Sequence, residues 1–432
     1  MAASRPAQIT TDRCSSVVDY EWSVNCIHLI PFLAYTQFSY NHKIKDKRAI
    51  TQIKPDIRLR NSGAKRIMGG ILPARAIKAM FEDGTIKAPN TPDSDQIQPA
   101  SLDLRLGQQA WRVRASFLPG PGAKVEEKLQ GLILHEIDLS KGAVLETGCV
   151  YIVKLQEALS LPAGLSATTN PKSSTGRIDV FTRVITDDGR EFDRVPVGYN
   201  GALYAEISPR TFPVLVRSGS RLSQIRFRDG DALISDEALR DVHKEHILMS
   251  GGNELIGGGV QLSIDLMGDG IGSLIGYRAK RHTGLIDVDV KAAHDPLDFW
   301  EPIYNRGDAS LILDPNEFYI LVSQEAVHVP PMYAAEMVPF DPLVGEFRVH
   351  YAGFFDPGFG HSTVGGTGSR AVLEVRSHEV PFLVGHGQTV GRLVYEHMAE
   401  RPATLYGEGI GSNYQGQALK LSKHFKVAES AS

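Results

Sequence analysis

Cysteine is scarce in this sequence. Cys14, Cys26 and Cys149 are the only three in 432 residues. They are too few for a disulfide framework and lack the spacing of a metal site, so a reducing, cytoplasmic setting is expected. Long apolar runs are missing too: no stretch reaches the roughly 18 uninterrupted apolar residues of a membrane helix. The run from Val24 to Phe38 is broken by Asn25 and His28 and has no basic segment directly before it, which argues against a secretory leader. Neither sign of charge dominates. Lys and Arg number 46 against 50 Asp and Glu, a net charge of −4, so nothing draws the whole chain to nucleic acid or to an anionic membrane. The sequence has no coiled-coil heptad, no low-complexity tract, no Walker A loop and no dinucleotide fingerprint.

What is present is a soluble globular composition, 42% apolar and 22% charged, long enough for two domains of ordinary size. The 42 Gly and 24 Pro suit tight turns between short strands. Residues 1–67 stand apart. They lack periodicity and carry a basic stretch from Lys43 to Arg66, which reads as a solvated, poorly ordered extension. Met68-Gly69-Gly70-Ile71-Leu72-Pro73 reads as a domain start, and the functional protein is expected to be able to begin there. Pro73, then Ile77, Met80 and Phe81, then Asp83-Gly84 predict a short helix with a stop. Strands are predicted at Ser101–Leu106 and Val150–Leu155, and a helix at Asp236–Leu248. Glycines at 251–252 and 257–259 mark a join, giving a first module over 68–249 and a second over 250–432. The tail from Tyr406 to Phe425, rich in Gly, Tyr, Gln and Lys, has no counterpart after the first module.

The chain repeats itself at a shift of 168 residues without a gap. Pro162, Pro171, Asp188, Glu206, Pro213, Leu215 and Gly219 fall on Pro330, Pro339, Asp356, Glu374, Pro381, Leu383 and Gly387. Within the repeat, Lys172-Ser173-Ser174-Thr175-Gly176-Arg177 sets hydroxyl donors beside a guanidinium. That chemistry suits phosphate oxygens, although an ordinary polar turn reads equally well. Glu206 lies between Ala205 and Ile207 in strand-like sequence, where a carboxylate is partly desolvated and useful for moving protons. Its recurrence as Glu374 in Val372-Leu373-Glu374-Val375 favours function over a solvent-facing position. Arg221-Leu222-Ser223-Gln224 is a basic-polar knot opening another strand. His243-Lys244-Glu245 fits the start of the zinc-deaminase signature, but no Pro-Cys-x-x-Cys follows. His350, His361, His378 and His386 lack ligand spacing and read as surface or packing residues.

Over about residues 68–425 these motifs resemble the dCTP deaminases of the dUTPase-like superfamily, in a tandem form that fuses two such domains. Ser101-Leu102-Asp103-Leu104-Arg105-Leu106-Gly107 resembles the family's first motif, and Ser173–Arg177 its serine-arginine phosphate motif. Gly198-Tyr199-Asn200-Gly201 with Glu206, and Asp356-Pro357-Gly358-Phe359-Gly360 with Glu374, resemble the hairpin that carries the catalytic glutamate. Arg221 to Gln224 resembles a dUTPase motif. Tyr406 and Asn413-Tyr414-Gln415-Gly416-Gln417 resemble the nucleotide-covering tail. The resemblance implies a mainly β fold: two tandem distorted jelly-roll (β-clip) domains with a few short helices. It implies threefold assembly of domains in a homo-oligomer, with sites at domain interfaces. It also implies hydrolytic deamination of dCTP to dUTP and ammonia, with dTTP or dUTP as inhibitors. Mg²⁺ would be held through the triphosphate, no zinc would be used, and a glutamate would be the general acid and base. Lys172, Ser173, Ser174, Arg177, Arg221, Gln224, Asp356, Tyr406, Asn413 and Gln417 would bind substrate.

Departures from the pattern divide the modules. In the first, Pro196 replaces the hairpin's usual Asp, after an insertion at Asp188–Arg194. In the second, Asp341-Pro342-Leu343 stands where Ser173-Ser174-Thr175 would fall, and a carboxylate there repels phosphate. In the tail, Asn413 replaces a Lys. Glu206, beside the intact phosphate motif, is the expected catalytic residue, and Glu374 working across an interface with that motif is the alternative. A dUTP diphosphatase, alone or combined with deamination, and a nucleotide-sensing protein that has lost chemistry are the competing functions.

Overall fold

The computed structural model describes residues 69–250, 255–339, 347–349, 353–377, 379–408 and 418–427. The extension 1–67, Asp341–Leu343, Asn413, Gln417, His350 and His378 lie outside them. The fold is mainly β, with a few short helices, as the resemblance implied. Ala74–Glu82 forms the predicted first helix: Pro73 caps its start, Ile77 and Met80 turn inward, and Gly84 follows at φ +81°.

The first module is a wrapped sheet. Its strands run Val180–Thr186, Asn200–Pro209, Val150–Ser160, Leu102–Val113, Arg221–Asp229, Leu165–Pro171 and Arg194–Val195, side by side in that order. Leu102–Val113 links the two halves of the wrap, and its register slips between Leu106 and Ala110. Gly107 lies at that slip, where a Cβ would stand 2.4 Å from the Lys154 carbonyl oxygen, so the close strand approach requires glycine.

The sequence repeat is a repeat of strand register. Glu206 faces Ile152 across its ladder and Glu374 faces Ile320. Phe227 faces Ala167, and Tyr395 faces Ala335. Leu145 faces Val214, and Leu313 faces Phe382. A one-residue slip would invert every side chain on a strand, so shared register keeps the same faces inward in both modules.

The second module has its own core, built around Leu262, Leu321, Leu373 and Tyr395. Leu239 of the Asp236–His246 helix joins this core, ahead of the glycine-marked join. The first core also takes in Trp300, Phe318, Ile320 and Val372 from the second module and Phe425 from the tail. Trp300 is fully buried, with Phe212, Phe425 and Phe318 at ring distances of 5.4, 5.9 and 6.0 Å. Polar contacts cross the same boundary. The buried Arg226 donates to the Ala335 carbonyl and to Asp356 Oδ1, each at 3.0 Å, and Asn170 Nδ2 donates to Glu336 Oε1 at 3.0 Å. Each module therefore relies on the other to cover buried surface. Among the described residues, no helix is long and apolar enough to cross a membrane.

Candidate active site between the modules

The serine-arginine motif folds as one helical turn, Ser173–Gly176, set directly after the Leu165–Pro171 strand. Thr175 and Gly176 donate their N–H groups to the Lys172 carbonyl, and Lys172 N–H is held by the Leu222 carbonyl. Ser174 and Arg177 are buried. Lys172 forms an ion pair with the buried Asp103, and Arg221 stands 3.7 Å from the same carboxylate. Arg221 also makes two hydrogen bonds to Asp95, at 2.9 and 3.0 Å. Gln224 is paired in register with Asp103 and with Asn170, and its amide reaches the Pro171 carbonyl at 3.4 Å. Lys172, Arg221 and Gln224 are thus brought together around Asp103.

Arg177, read from sequence as a phosphate donor, turns toward the second module. Its Nε lies 3.7 Å from Glu374 Oε1, and its Nη1 donates to the Lys420 carbonyl at 3.0 Å. Both side chains are almost fully buried. Glu374 and Arg376 alternate with Leu373 and Val375 on the Ser369–Ser377 strand. The apolar pair enters the second core, and the charged pair projects toward the first module. Arg376 forms a buried ion pair with Asp179, which also accepts from Thr211 Oγ1 at 2.5 Å. Burial pushes the Glu374 carboxyl up from its ordinary value to about 7, against the pull of Arg177. A carboxyl poised there can take and return a proton near neutral pH.

Glu206 is in a different setting. Arg183 Nη2 donates to Glu206 Oε1 at 2.6 Å, and the guanidinium lies 3.4 Å from the ring centre of Phe192 and 4.6 Å from that of Phe181. Phe192 comes from the Asp188–Arg194 insertion noted in the sequence, so that insertion helps close the space around the Glu206–Arg183 pair. Asp193 from the same insertion is half-buried, desolvation pushes its carboxyl up to about 6, and it accepts from Thr169 Oγ1 at 2.7 Å.

Asp356 pairs with Arg226. Burial pushes its carboxyl up, and the negative charge of Asp103 adds to that shift. Tyr406 caps the turn after Asp356: its N–H donates to the Pro357 carbonyl at 2.8 Å, and its ring lies 5.7 Å from Phe359. Beyond the tail's undescribed part, residues 418–427 return to the serine-arginine turn, where Ser422 Oγ donates to the Ser174 carbonyl at 2.8 Å. Burial first, then Lys172, Lys291 and Arg221, push Lys423 down to about 8. Sequence reading did not single out Asp179, Arg183, Arg376, Lys291, Lys420, Ser422 or Lys423. The lysines of the tail and the Glu374-x-Arg376 alternation were the available signals. Among the described residues, no group of three or more His, Cys, Asp or Glu side chains is placed to hold a metal ion.

Comparison with known proteins bears on both modules. The N-terminal domain model of 2'-deoxycytidine 5'-triphosphate deaminase (DCD) matches residues 68–231, and the DCD C-terminal domain model matches residues 235–425. The dCTP deaminase of Alteromonas mediterranea is 29% identical over 162 residues, 35% of this chain and 79% of that protein. The "dCTP deaminase, dUMP-forming" of Methanobrevibacter smithii is 28% identical over 159 residues, 36% of this chain and 79% of that protein. A crystal structure of 2'-deoxycytidine 5'-triphosphate deaminase from Agrobacterium tumefaciens is 66% identical, with a TM-score of 0.76, over 79% of this chain and 99% of that one. Matched in each of its modules and along nearly the whole of a solved relative, the chain belongs to the 2'-deoxycytidine 5'-triphosphate deaminase family.

Proposed function

We propose that this protein deaminates dCTP to dUTP and ammonia, with Glu374 of the second module as the general acid and base and the serine-arginine turn of the first module completing the site. The observation that carries this reading is Glu374 itself: buried, shifted to about 7, and facing Arg177 across the module boundary. Water adds to cytosine C4 as Glu374 takes its proton, and Glu374 returns that proton to ring N3. Glu374 then carries the proton of the new C4 hydroxyl to the amino group, which leaves as ammonia while the C4 carbonyl forms. Arg177 acts as a positioning residue that fixes the carboxylate, while Lys172 and Arg221 supply positive charge on the phosphate side. This reverses the preference for Glu206 drawn from sequence, because Glu206 is held in its own pair with Arg183.

The mechanism is proposed to need no zinc, in keeping with the missing Pro-Cys-x-x-Cys. Mg²⁺ would enter with the triphosphate, since Asp103 and Asp356 are engaged by Lys172 and Arg226 and do not form an open carboxylate pair. When bound, it would neutralise phosphate charge. The same engagement argues against a second activity on dUTP, where a carboxylate would have to hold water at the α-phosphate.

A homo-oligomer is also proposed. The outer strand Val214–Val216 of the first module receives Ile286–Asp287 as a neighbour, whereas its counterpart Phe382–Gly385 pairs only with Ser310–Leu313 among the described residues. Ile312 and Leu383 are exposed on that two-stranded sheet, beside a cleft of about 470 Å³. A second copy of the chain would cover them. The decisive experiment supplies dCTP and dUTP separately and follows ammonia and pyrophosphate. Ammonia from dCTP without pyrophosphate supports the reading. Pyrophosphate from dUTP, or no turnover of either nucleotide, overturns it.

A further inference from the structure

We propose that Asp179 and Arg376 are positioning residues for the deamination: their buried ion pair sets the distance at which Arg177 stands from Glu374. The proposal rests on the reading of Glu374 as the general acid and base.

Two ion pairs cross the module boundary side by side, each the reverse of the other. The first module supplies the cation Arg177 and the acid Asp179, two residues apart just after the Ser173–Gly176 turn. The second module supplies the acid Glu374 and the cation Arg376, two residues apart on the Ser369–Ser377 strand. Residues i and i+2 of a strand share a face, so a shift of the strand that moves one pair moves the other.

The two pairs are held unequally. At 3.7 Å, Arg177 Nε and Glu374 Oε1 are beyond hydrogen-bond reach, so the contact has little directional hold of its own. Asp179 and Arg376 are joined by a hydrogen bond, and both are tied to the surrounding chain. Asp179 sits at φ +54°, its N–H on the Gly176 carbonyl and its own carbonyl accepting from Arg210 N–H, both at 2.9 Å. Thr211 Oγ1 donates to Asp179 Oδ2 at 2.5 Å. Arg376 Nη2 donates to the same carboxylate and, at 3.0 Å, to Thr211 Oγ1, while its Nη1 donates to the Asn316 carbonyl. The guanidinium fork thus clamps the strand of Glu374 to the segment that carries Arg177.

That distance matters for the chemistry. The turn presents Arg177 to Glu374, the tail brings the Lys420 carbonyl to Arg177, and the strand's own Arg376 is matched by Asp179. Arg177 opposes the upward push that burial gives the Glu374 carboxyl, and its pull weakens with separation. With the clamp removed, Arg177 draws away and Glu374 keeps its proton to higher pH. Asp179 and Arg376 therefore act through Arg177 and Glu374.

The test follows the Glu374 carboxyl by carbon-13 NMR of the glutamate-labelled full-length chain, with Glu374→Gln identifying the signal, beside the pH profile of kcat/KM. The double variant Arg376→Met, Asp179→Leu removes both charges together and leaves no buried ion unpaired, so it should recover most of the stability lost in Arg376→Met alone. Its Glu374 midpoint and its acid limb should nonetheless rise together by about one pH unit, lowering kcat/KM at pH 7 about fivefold. Thr211→Val, which loosens the clamp and keeps both charges, should raise them by a smaller amount. In an Arg177→Met background the double variant should add no further rise, because the cation it positions is gone. An unchanged midpoint in the double variant or, should that chain not fold, in Thr211→Val, overturns the proposal. So does an equal rise without Arg177. The midpoint is read without turnover. A chain whose Glu374→Gln variant keeps its rate, while the midpoint still follows the clamp, would sink the functional reading and leave the link between the two pairs standing.

Discussion

Arg177 Nε stands 3.7 Å from Glu374 Oε1, joining the serine-arginine turn of one module to the carboxylate of the other. Replacing Glu374 with Gln should therefore lower single-turnover deamination by about two to four orders of magnitude, the usual scale for a lost general acid–base group. Glu206→Gln should stay within a few-fold of wild type and show its effect in thermal stability, through the Arg183 pair. Equal rate losses in the two variants would return Glu206 to the chemistry.

The pH profile follows from the same pair. Glu374 must be ionised to take a proton from water, and its carboxyl sits at about 7 in place of the ordinary 4.5. Below pH 7 the protonated, inactive fraction grows, so kcat/KM should fall about tenfold per pH unit. Arg177 holds that carboxyl down, so Arg177→Met should move the acid limb to higher pH. An acid limb near 4.5, or one indifferent to Arg177, contradicts the assignment.

Arg376 and Asp179 form a second buried pair across the boundary. Arg376→Met leaves Asp179 charged and enclosed, and should cost about 3–5 kcal/mol in denaturant unfolding. The double variant Arg376→Met, Asp179→Leu should recover much of that loss, which separates charge burial from packing.

Gly358 has φ +100°, and a Cβ there would meet Leu405 Cβ at 2.8 Å and the Tyr406 backbone at 3.0 Å. Gly358→Ala should cost about 1–3 kcal/mol from backbone strain and displace Tyr406 from the Asp356 turn. Melting together with dCTP titration would show both effects, and a variant with wild-type melting and wild-type affinity would remove Tyr406 from the binding site.

The sequence by itself determined the architecture of the repeat. Strand register follows the period of the apolar residues, and the 168-residue shift preserved that period, so Glu206 and Glu374 had to occupy equivalent ladder positions facing Ile152 and Ile320. The helix at Ala74–Glu82 and the turn at Ser173–Gly176 were legible for the same local reason, since Pro73, Gly84 and the small hydroxyl residues act within a few positions of themselves. What faces each glutamate was decided only by tertiary structure. Arg183 reaches Glu206 from a neighbouring strand with Phe192 of the insertion stacked on its guanidinium, and Arg177 reaches Glu374 from nearly 200 positions away. Charge partners are chosen by distance in space and by the solvent removed between them. Neither quantity is a property of a short stretch of chain, which is why two glutamates alike in sequence came to differ in their surroundings.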